Sequence, residues 1–106
     1  MPTPLTVRTD RRVDGTVALS AAGELDLSNI DTFTDAIAEA VGRSNQELGR
    51  LTVDLTAIEY LDSGAINALF ENAQQIRKIV ANPILMPVLS ISGLTSVAEV
   101  QAAEGD

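Results

Sequence analysis

Residues 51–70, LTVDLTAIEYLDSGAINALF, constrain the fold more than any other part of the sequence. The segment opens with apolar residues at every second position from Leu51 to Leu55, a run typical of a short buried strand. After a polar break at residues 62–64, the apolar residues recur at intervals of three and four, which is the pattern of an amphipathic helix. The sequence therefore predicts a strand that leads directly into a helix.

The break between this strand and this helix contains two residue types that cap helix amino termini. Asp62 and Ser63 can each accept a hydrogen bond from an amide of the first helical turn. One cap is sufficient, so either residue can be the cap and the other is then left free. The unpaired amides and the positive end of the helix dipole at this point favour an anion.

The rest of the chain alternates between strand and helix patterns. Ser28 with Asp31, and Ser96 with Glu99, resemble capping boxes ahead of two further helices. Pro87 interrupts an apolar run and predicts an edge strand or a bulge there. The predicted strands are residues 5–9, 16–22, 51–55 and 84–91, the predicted helices are residues 29–41, 63–81 and 95–103, and turns are predicted at residues 11–15 and 92–93.

This order, β-β-α-β-α-β-α, predicts a single α/β domain of 106 residues. We expect a mostly parallel sheet of about four strands, opened by a hairpin, with the helices packed to leave one sheet face partly open. The loops after strands two, three and four should meet at the same sheet edge. Those loops hold residues 26–29, 62–65 and 92–94.

Composition disfavours most catalytic classes. The chain has no His and no Cys, which removes a thiol nucleophile, a Ser-His pair and an imidazole or thiolate zinc site. The net charge of −8 disfavours nucleic acid as a partner. No apolar run is long enough to cross a membrane, and the start of the chain lacks a signal-peptide pattern, so a cytoplasmic protein without metal or cofactor is expected.

Acidic residues are unevenly distributed. Between Arg12 and Arg43 the chain has no basic residue. This segment is either a solvated helix face that aids solubility or an acidic surface that steers a basic protein partner. Its six acids are Asp14, Glu24, Asp26, Asp31, Asp35 and Glu39.

Four short motifs carry a resemblance to a known family. Asp-Leu-Thr at 54–56, Leu-Asp-Ser at 61–63 and Ala-Ile-Asn-Ala-Leu at 65–69 resemble the STAS domain of bacterial anti-sigma factor antagonists, and Gly-Glu-Leu-Asp at 23–26 is similar to the second signature of that family. The resemblance implies the STAS-type, SpoIIAA-like fold. It also implies a regulator without catalysis, which binds an anti-sigma factor serine kinase of the histidine-kinase-like ATPase fold and so releases a sigma factor.

The sequence departs from this family at one position. In the well-studied antagonists the helix opens Asp-Ser-Ser-Gly or Asp-Ser-Thr-Gly, and the third of these residues is phosphorylated. Here that position is Gly64, followed by Ala65. Three hypotheses remain open: an antagonist that its kinase cannot switch off, a phosphorylation site moved to Ser63, or a STAS module that has lost the kinase circuit.

The resemblance and the expected sheet edge together define the candidate site. Its centre is predicted at Asp62, Ser63, Gly64, Ala65, Asn67 and Asp26, with a surrounding partner-binding surface at Glu24, Ser28, Asn29 and Asp31. Asp26 is equally well explained as a turn residue.

Two other functions are compatible with the sequence. The first is a scaffold or a nucleotide- or small-molecule-binding module, in which the helix amino terminus holds a phosphate, although no Gly-rich phosphate loop is present. The second is an enzyme that uses Asp26 and Asp62 as paired carboxylates, for which the sequence supplies no nucleophile, base and oxyanion donor together. Oligomeric state is not predicted.

Overall fold

The computed structural model describes residues 4–11, 16–46 and 51–103 and has an α/β fold. Of the turn predicted at residues 11–15, residues 12–15 lie outside these ranges, and Arg11 belongs to the first strand. The elements in chain order are β1 (Thr6–Arg11), β2 (Val17–Leu25), α1 (Ile30–Gln46), β3 (Leu51–Leu61), α2 (Ser63–Glu71), β4 (Ile76–Ala81), α3 (Met86–Ile91) and β5 (Val100–Ala102). Short 3-10 turns occupy Ala73–Gln75, Pro83–Leu85 and Leu94–Ser96.

The strands form one mixed sheet in the order β1-β2-β3-β4-β5. β1 pairs with β2 in antiparallel orientation, whereas the β2–β3, β3–β4 and β4–β5 pairs are parallel. The predicted mostly parallel sheet is therefore confirmed, with five strands in the described chain where about four were expected.

The hydrophobic core lies between the helices and one face of the sheet. Phe33 and Ile37 of α1 are fully buried at a spacing of four residues, as the helical pattern predicts. On the opposite sheet face, Arg8, Ser20 and Asp54 are cross-strand neighbours that are exposed or half-buried. This polar face is the partly open one. The largest fully buried side chains include Leu19, Leu25, Leu51, Leu55, Ile58, Leu69, Ile79, Leu89 and Leu94.

β3 extends six residues beyond its predicted end at Leu55 and contains two β-bulges. The register with β2 shifts between Ser20 and Ala22 and again between Gly23 and Glu24. Each bulge adds one residue to β3, which moves its buried positions from every second to every third residue. The bulges bring Leu61 opposite Leu25, so β2 and β3 end together.

β2 continues through Gly23, where the sequence predicts that the strand ends. Gly23 has a φ of 109°, and a Cβ placed there would lie 2.3 Å from the carbonyl oxygen of Pro4. Glycine is therefore needed here because the backbone of Pro4 passes close to β2, and not because the chain turns.

The predicted helix at 63–81 is wrong in its second half. α2 ends at Glu71, and the Asn72 side chain donates to the carbonyl of Ala68 at 2.8 Å. Residues 76–81 instead form the parallel strand β4. A register shift near Leu51 leaves Arg77 unpaired with β3, so Ile76 and Ile79 are both buried three residues apart and imitate helical spacing.

The predicted strand at 84–91 and helix at 95–103 are also wrong. Leu85 and Leu89 are buried four residues apart, on one side of a helical segment, and Pro87 lies in the first turn of α3, where a missing amide costs no hydrogen bond. Residues 100–102 form β5, and the Ile79 amide donates to the Glu99 carbonyl at 2.8 Å. The capping box predicted at Ser96 and Glu99 therefore does not form.

Candidate functional site

The loop after β2 and the start of α2 lie side by side at the carboxyl edge of the sheet. The amide of Asp62 donates to the carbonyl of Leu25 at 3.1 Å, which joins the ends of β3 and β2. A Cβ placed on Gly64 would lie 3.4 Å from Cδ2 of Leu27. Two of the three loops predicted at this edge, residues 26–29 and 62–65, are therefore brought together.

The third predicted loop, residues 92–94, follows α3 and not a strand. A Cβ on Gly93 would lie 3.9 Å from Cζ of Phe70, in the last turn of α2. The expectation that residues 92–94 flank the α2 amino terminus is wrong, because the element that precedes them is a helix.

Asp62 is the cap of α2. Its backbone is extended, and its Oδ1 accepts a hydrogen bond from the amide of Ala65 at 3.1 Å. Ser63, the first helical residue, is exposed, and its hydroxyl makes no hydrogen bond within the described part of the chain. The choice between Asp62 and Ser63 as the cap is thus resolved, and the Ser63 hydroxyl faces solvent without a capping role.

The space around Gly64 is almost large enough for a small side chain. A Cβ there would meet Asp62 Oδ1 at 3.3 Å and Leu27 Cδ2 at 3.4 Å, so a shift of a few tenths of an ångström would admit one. Ala65 is fully buried and packs in the core, which gives it a structural role. Asn67 is exposed and donates to Glu71 Oε1 at 2.8 Å.

The loop after β2 is held by its own polar side chains. Asp26 Oδ1 accepts from both the amide and the hydroxyl of Ser28, at 2.9 and 2.5 Å. Asn29 Nδ2 donates to the Glu24 carbonyl at 2.8 Å, and its Oδ1 accepts from the Asp26 amide at 3.1 Å. The loop is therefore fixed by Asp26 and Asn29.

The capping box predicted from Ser28 and Asp31 does not form, because α1 begins only at Ile30 and the Ser28 hydroxyl bonds to Asp26 and not to the Asp31 amide. Asp31 is exposed in the first turn of α1, where its charge favours the helix dipole.

Sequence reasoning missed two exposed apolar side chains near this edge. Leu27 is 79% exposed beside Gly64, and Tyr60 is 52% exposed opposite Glu24 in the β2–β3 pair. Leu27 precedes the predicted start of the helix at residue 29, which was a usable signal. Tyr60 gave no signal, because its orientation depends on the second bulge of β3.

Among the described residues, the charged side chains of the two loops at this edge are all acidic. Neither residues 13–42 nor residues 51–76, which supply both loops, contain a lysine or arginine. Four described bases lie towards the opposite edge, at or near the amino ends of the parallel strands: Arg11, Arg43, Arg77 and Lys78. The described acids in the two loops or within three residues of them along the chain are Glu24, Asp26, Asp31, Glu59 and Asp62.

The structure gives little support to the other predicted functions. The Asp26 and Asp62 carboxylates each accept local hydrogen bonds that shape the loop or cap the helix. A surface cavity of about 400 Å³ opens on the polar face of the sheet, lined by residues that include Ser20, Ala22 and Asp54 and none from 26–29 or 62–65.

Two further features are absent from the described part of the chain. Residues 4–11, 16–46 and 51–103 hold no group of three Asp or Glu side chains placed to bind a metal ion. Within the same residues, no helix has both the length and the apolar character needed to span a membrane.

Comparison with known proteins identifies the family. The model of the STAS domain matches residues 8–94, most of the chain. This chain belongs to the STAS domain family. The match includes both loops of the candidate site and the whole of β2, α1, β3 and α2. None of the curated proteins matches the chain.

Solved structures that include anti-sigma factor antagonists have the same fold. An anti-sigma factor antagonist from Mycobacterium paratuberculosis aligns with a TM-score of 0.82 at 22% identity, over 95% of this chain and 88% of that one. SpoIIAA in its unphosphorylated form aligns with a TM-score of 0.71 at 15% identity, over 93% and 89% of the two chains. The Bacillus cell fate determinant SpoIIAA in its phosphorylated form gives 0.65 at 15% identity, over 93% and 92%. At these identities the similarity concerns the fold.

Proposed function

We propose that this STAS domain is an anti-sigma factor antagonist. It binds an anti-sigma factor serine kinase of the histidine-kinase-like ATPase fold and thereby releases a sigma factor. The observation that carries the proposal is the edge formed by residues 26–29 and 62–65, where Ser63 is exposed and has no capping role and the adjacent Gly64 lies beside Leu27. The family and the names of its structural neighbours support the class of partner.

The electrostatics of the edge support a basic partner surface. Five described acids lie in the two loops of the edge or within three residues of them along the chain, and neither of the two segments that build the edge has a base. A like-charged partner would be repelled here, whereas a surface rich in lysine and arginine would be steered to it. The acidic segment between Arg12 and Arg43 was interpreted either as a solvated helix face or as a surface that steers a basic protein partner. This arrangement favours the second interpretation.

We further propose that the regulated hydroxyl is that of Ser63. Because Asp62 supplies the cap, Ser63 has no structural hydrogen bond among the described residues that phosphorylation would break. A phosphate on Ser63 adds about 1.5–2 negative charges at the helix amino terminus, which the dipole tolerates. The phosphate is also bulky and costly to desolvate at the centre of an interface, and we expect this cost to exceed its added attraction to a basic partner surface. Phosphorylation would therefore weaken binding without unfolding the domain.

The proposed activity is tested by sigma factor release. The chain is added to purified complexes of candidate anti-sigma kinases with their sigma factors, and free sigma factor is measured by size-exclusion chromatography. Release that rises with the concentration of the chain supports the proposal. If no such kinase binds the chain and no sigma factor is released, the antagonist function is wrong and a scaffold or ligand-binding STAS module replaces it.

A further inference from the structure

The sheet has an unpaired edge along β1. In the described chain β1 pairs only with β2, so no strand lies on its outer side. Every second residue of such a strand turns its backbone N–H and C=O away from the sheet, where they can pair with another strand. β1 is six residues long, whereas β5 at the opposite edge has three. β1 is therefore the edge better suited to extend the sheet.

Two opposite charges lie side by side on the polar face of β1. Arg8 and Asp10 are two residues apart in the strand, so their side chains project from the same sheet face. Arg8 Nε donates to Asp10 Oδ2 at 3.0 Å, and the two side chains are 79% and 50% exposed. Neither side chain makes another hydrogen bond to a described residue. The second Asp10 oxygen and the remaining Arg8 N–H groups are thus available to a neighbouring strand.

Two-fold symmetry restricts how two β1 strands can pair. Directly opposite residues of an antiparallel pair project from the same sheet face, so the axis must pass through a residue position. An axis at Arg8, Asp10 or Arg11 sets that charged residue against its own copy, and like charges directly opposite destabilise a sheet. An axis nearer the start of the strand pairs neither Arg8 nor Asp10 with an opposite charge. An axis at Thr9 places Arg8 of each copy opposite Asp10 of the other, which gives two favourable pairs.

The same charges select a second copy as the occupant of this edge. An antiparallel strand satisfies Arg8 and Asp10 together only if it has a base followed two residues later by an acid, and β1 itself has this order. A uniformly acidic or uniformly basic strand would oppose one of the two with a like charge. Residues 4–11 have two Arg and one Asp, a net charge of +1, in a chain whose net charge is −8. Contact through β1 therefore keeps the acidic surfaces of two copies apart.

We propose that β1 is the interface of a homodimer. The two β1 strands pair in antiparallel orientation about an axis at Thr9, and the sheet continues from one copy into the other. Because the axis is perpendicular to the sheet, the polar faces of both copies lie on one side and the helices on the other. This inference does not rest on the proposed antagonist function.

Exchange of the two charges tests the pairing. Sedimentation velocity over a range of chain concentrations should show the wild type passing from monomer to dimer. Arg8→Asp places two Asp–Asp pairs across the axis, and Asp10→Arg places two Arg–Arg pairs there, so each variant should dimerise at least about tenfold more weakly. The double variant with both substitutions restores opposite charges and should recover the wild-type dimer. An equimolar mixture of the two single variants should form a heterodimer for the same reason.

Arg77→Asp is the matched control. Arg77 is exposed in β4, so the substitution makes the same charge change away from β1 and should leave the dimer intact. All of these positions are exposed, and the variants should keep the wild-type midpoint of urea unfolding. Since any substitution of Asp10 lowers the dimer fraction, kinase binding by Asp10 variants is compared at concentrations where the wild type is a monomer.

A cysteine at the axis tests the register. The chain has no Cys, so Thr9→Cys introduces a single thiol. Opposite residues of an antiparallel pair have Cα atoms about 4.5–5.5 Å apart, which suits a disulfide, so mild oxidation should give a covalent dimer efficiently. Thr6→Cys is the control on the same strand, because in this register the two copies of Thr6 lie about 20 Å apart. It should crosslink far less.

Four results would overturn the proposal. They are a monomer at every concentration, dimerisation of Arg8→Asp as strong as that of Arg77→Asp, failure of the double variant to recover the dimer, and Thr9→Cys crosslinking no better than Thr6→Cys. The first would show that β1 does not bind a second copy. The second and third would show that Arg8 and Asp10 do not meet across the axis, and the fourth would exclude the register.

Discussion

The Asp62 carboxylate accepts a hydrogen bond from the Ala65 amide at 3.1 Å, while the neighbouring Ser63 hydroxyl bonds to no described residue. Asp62 and Ser63 are both of a type that caps helices, but only Asp62 caps α2. The difference matters because the position that is usually phosphorylated in the family, here Gly64, has no hydroxyl. Ser63 is therefore the hydroxyl presented in the first turn of α2.

Removing the cap should destabilise the domain, and removing the free hydroxyl should not. Asp62→Ala is expected to lower the free energy of unfolding by about 1 kcal/mol, because the Ala65 amide loses its acceptor. Ser63→Ala should change it by less than about 0.5 kcal/mol. Urea unfolding followed by circular dichroism measures both. A larger loss in Ser63→Ala than in Asp62→Ala would show that Ser63 is the cap.

Gly23 should be the glycine least tolerant of a side chain. Gly23→Ala would place a Cβ 2.3 Å from the Pro4 carbonyl oxygen at a φ of 109°, so we expect a loss of about 2 kcal/mol or more. Gly42→Ala is the matched control, because a Cβ at that α1 position meets nothing within 4 Å. It should stabilise the helix by up to about 1 kcal/mol. Equal stability of the two variants would contradict the close approach of Pro4 to β2.

Alanine substitutions can test whether residues 86–91 are helical. Leu89→Ala should cost about 2–5 kcal/mol, because Leu89 is fully buried. Pro87 would share the buried face of Leu89 if these residues formed a strand, but in α3 it is exposed in the first turn. Pro87→Ala should therefore change the free energy of unfolding by no more than about 1 kcal/mol. Similar large losses in both variants would favour the strand.

The acidic edge should make partner association depend on salt. We expect the association rate with the anti-sigma kinase to fall by roughly tenfold from low to high ionic strength, measured by stopped-flow fluorescence. Asp31→Lys should slow association at low salt and reduce the salt dependence. Asp10→Lys is a control with the same charge change in β1, away from the acidic edge. Equal effects of the two variants would show that net charge, rather than the acidic edge, controls the rate.

Phosphate mapping should distinguish the hypotheses about Gly64. Incubation with a kinase that binds the chain and with ATP should place phosphate on Ser63, detected by mass spectrometry, and should weaken binding. Ser63→Ala removes this site, and Gly64→Ser restores the usual family acceptor with a shift of only a few tenths of an ångström. Phosphate in Gly64→Ser but not in the wild type would contradict the role of Ser63 and indicate an antagonist that its kinase cannot switch off.

The first two thirds of the fold could be predicted from the sequence because their periodicities are unambiguous. The spacing of Phe33, Ile37 and Val41 occurs in α1 as predicted, and the change of period after Leu61 marks the junction of β3 with α2. Topology then brings residues 26–29 and 62–65 to one edge. The bulges in β3 could not be predicted from the sequence. Burial at every third residue matches neither the period of a strand, about 2 residues, nor that of a helix, about 3.6 residues.

The last third could not be predicted for related reasons. The register shift in β4 gives Ile76 and Ile79 a helix-like spacing. The apolar run from Ile84 to Ile91 has no polar face that would separate a helix from a strand. The capping pattern at Ser96 and Glu99 is outweighed by hydrogen bonding of the following residues to the edge of β4.

The most direct test of the central claim is the binding of a candidate anti-sigma kinase to the α2 amino terminus, measured by isothermal titration calorimetry. The wild-type chain should bind, and Ser63→Arg should bind at least about tenfold more weakly because it places a bulky cation at the centre of the contact. Gln74→Arg, an exposed position beyond the carboxyl end of α2, should bind as the wild type does. Equal affinity of Ser63→Arg and the wild type would contradict the proposed site, and failure of the wild type to bind any such kinase would contradict the proposed function.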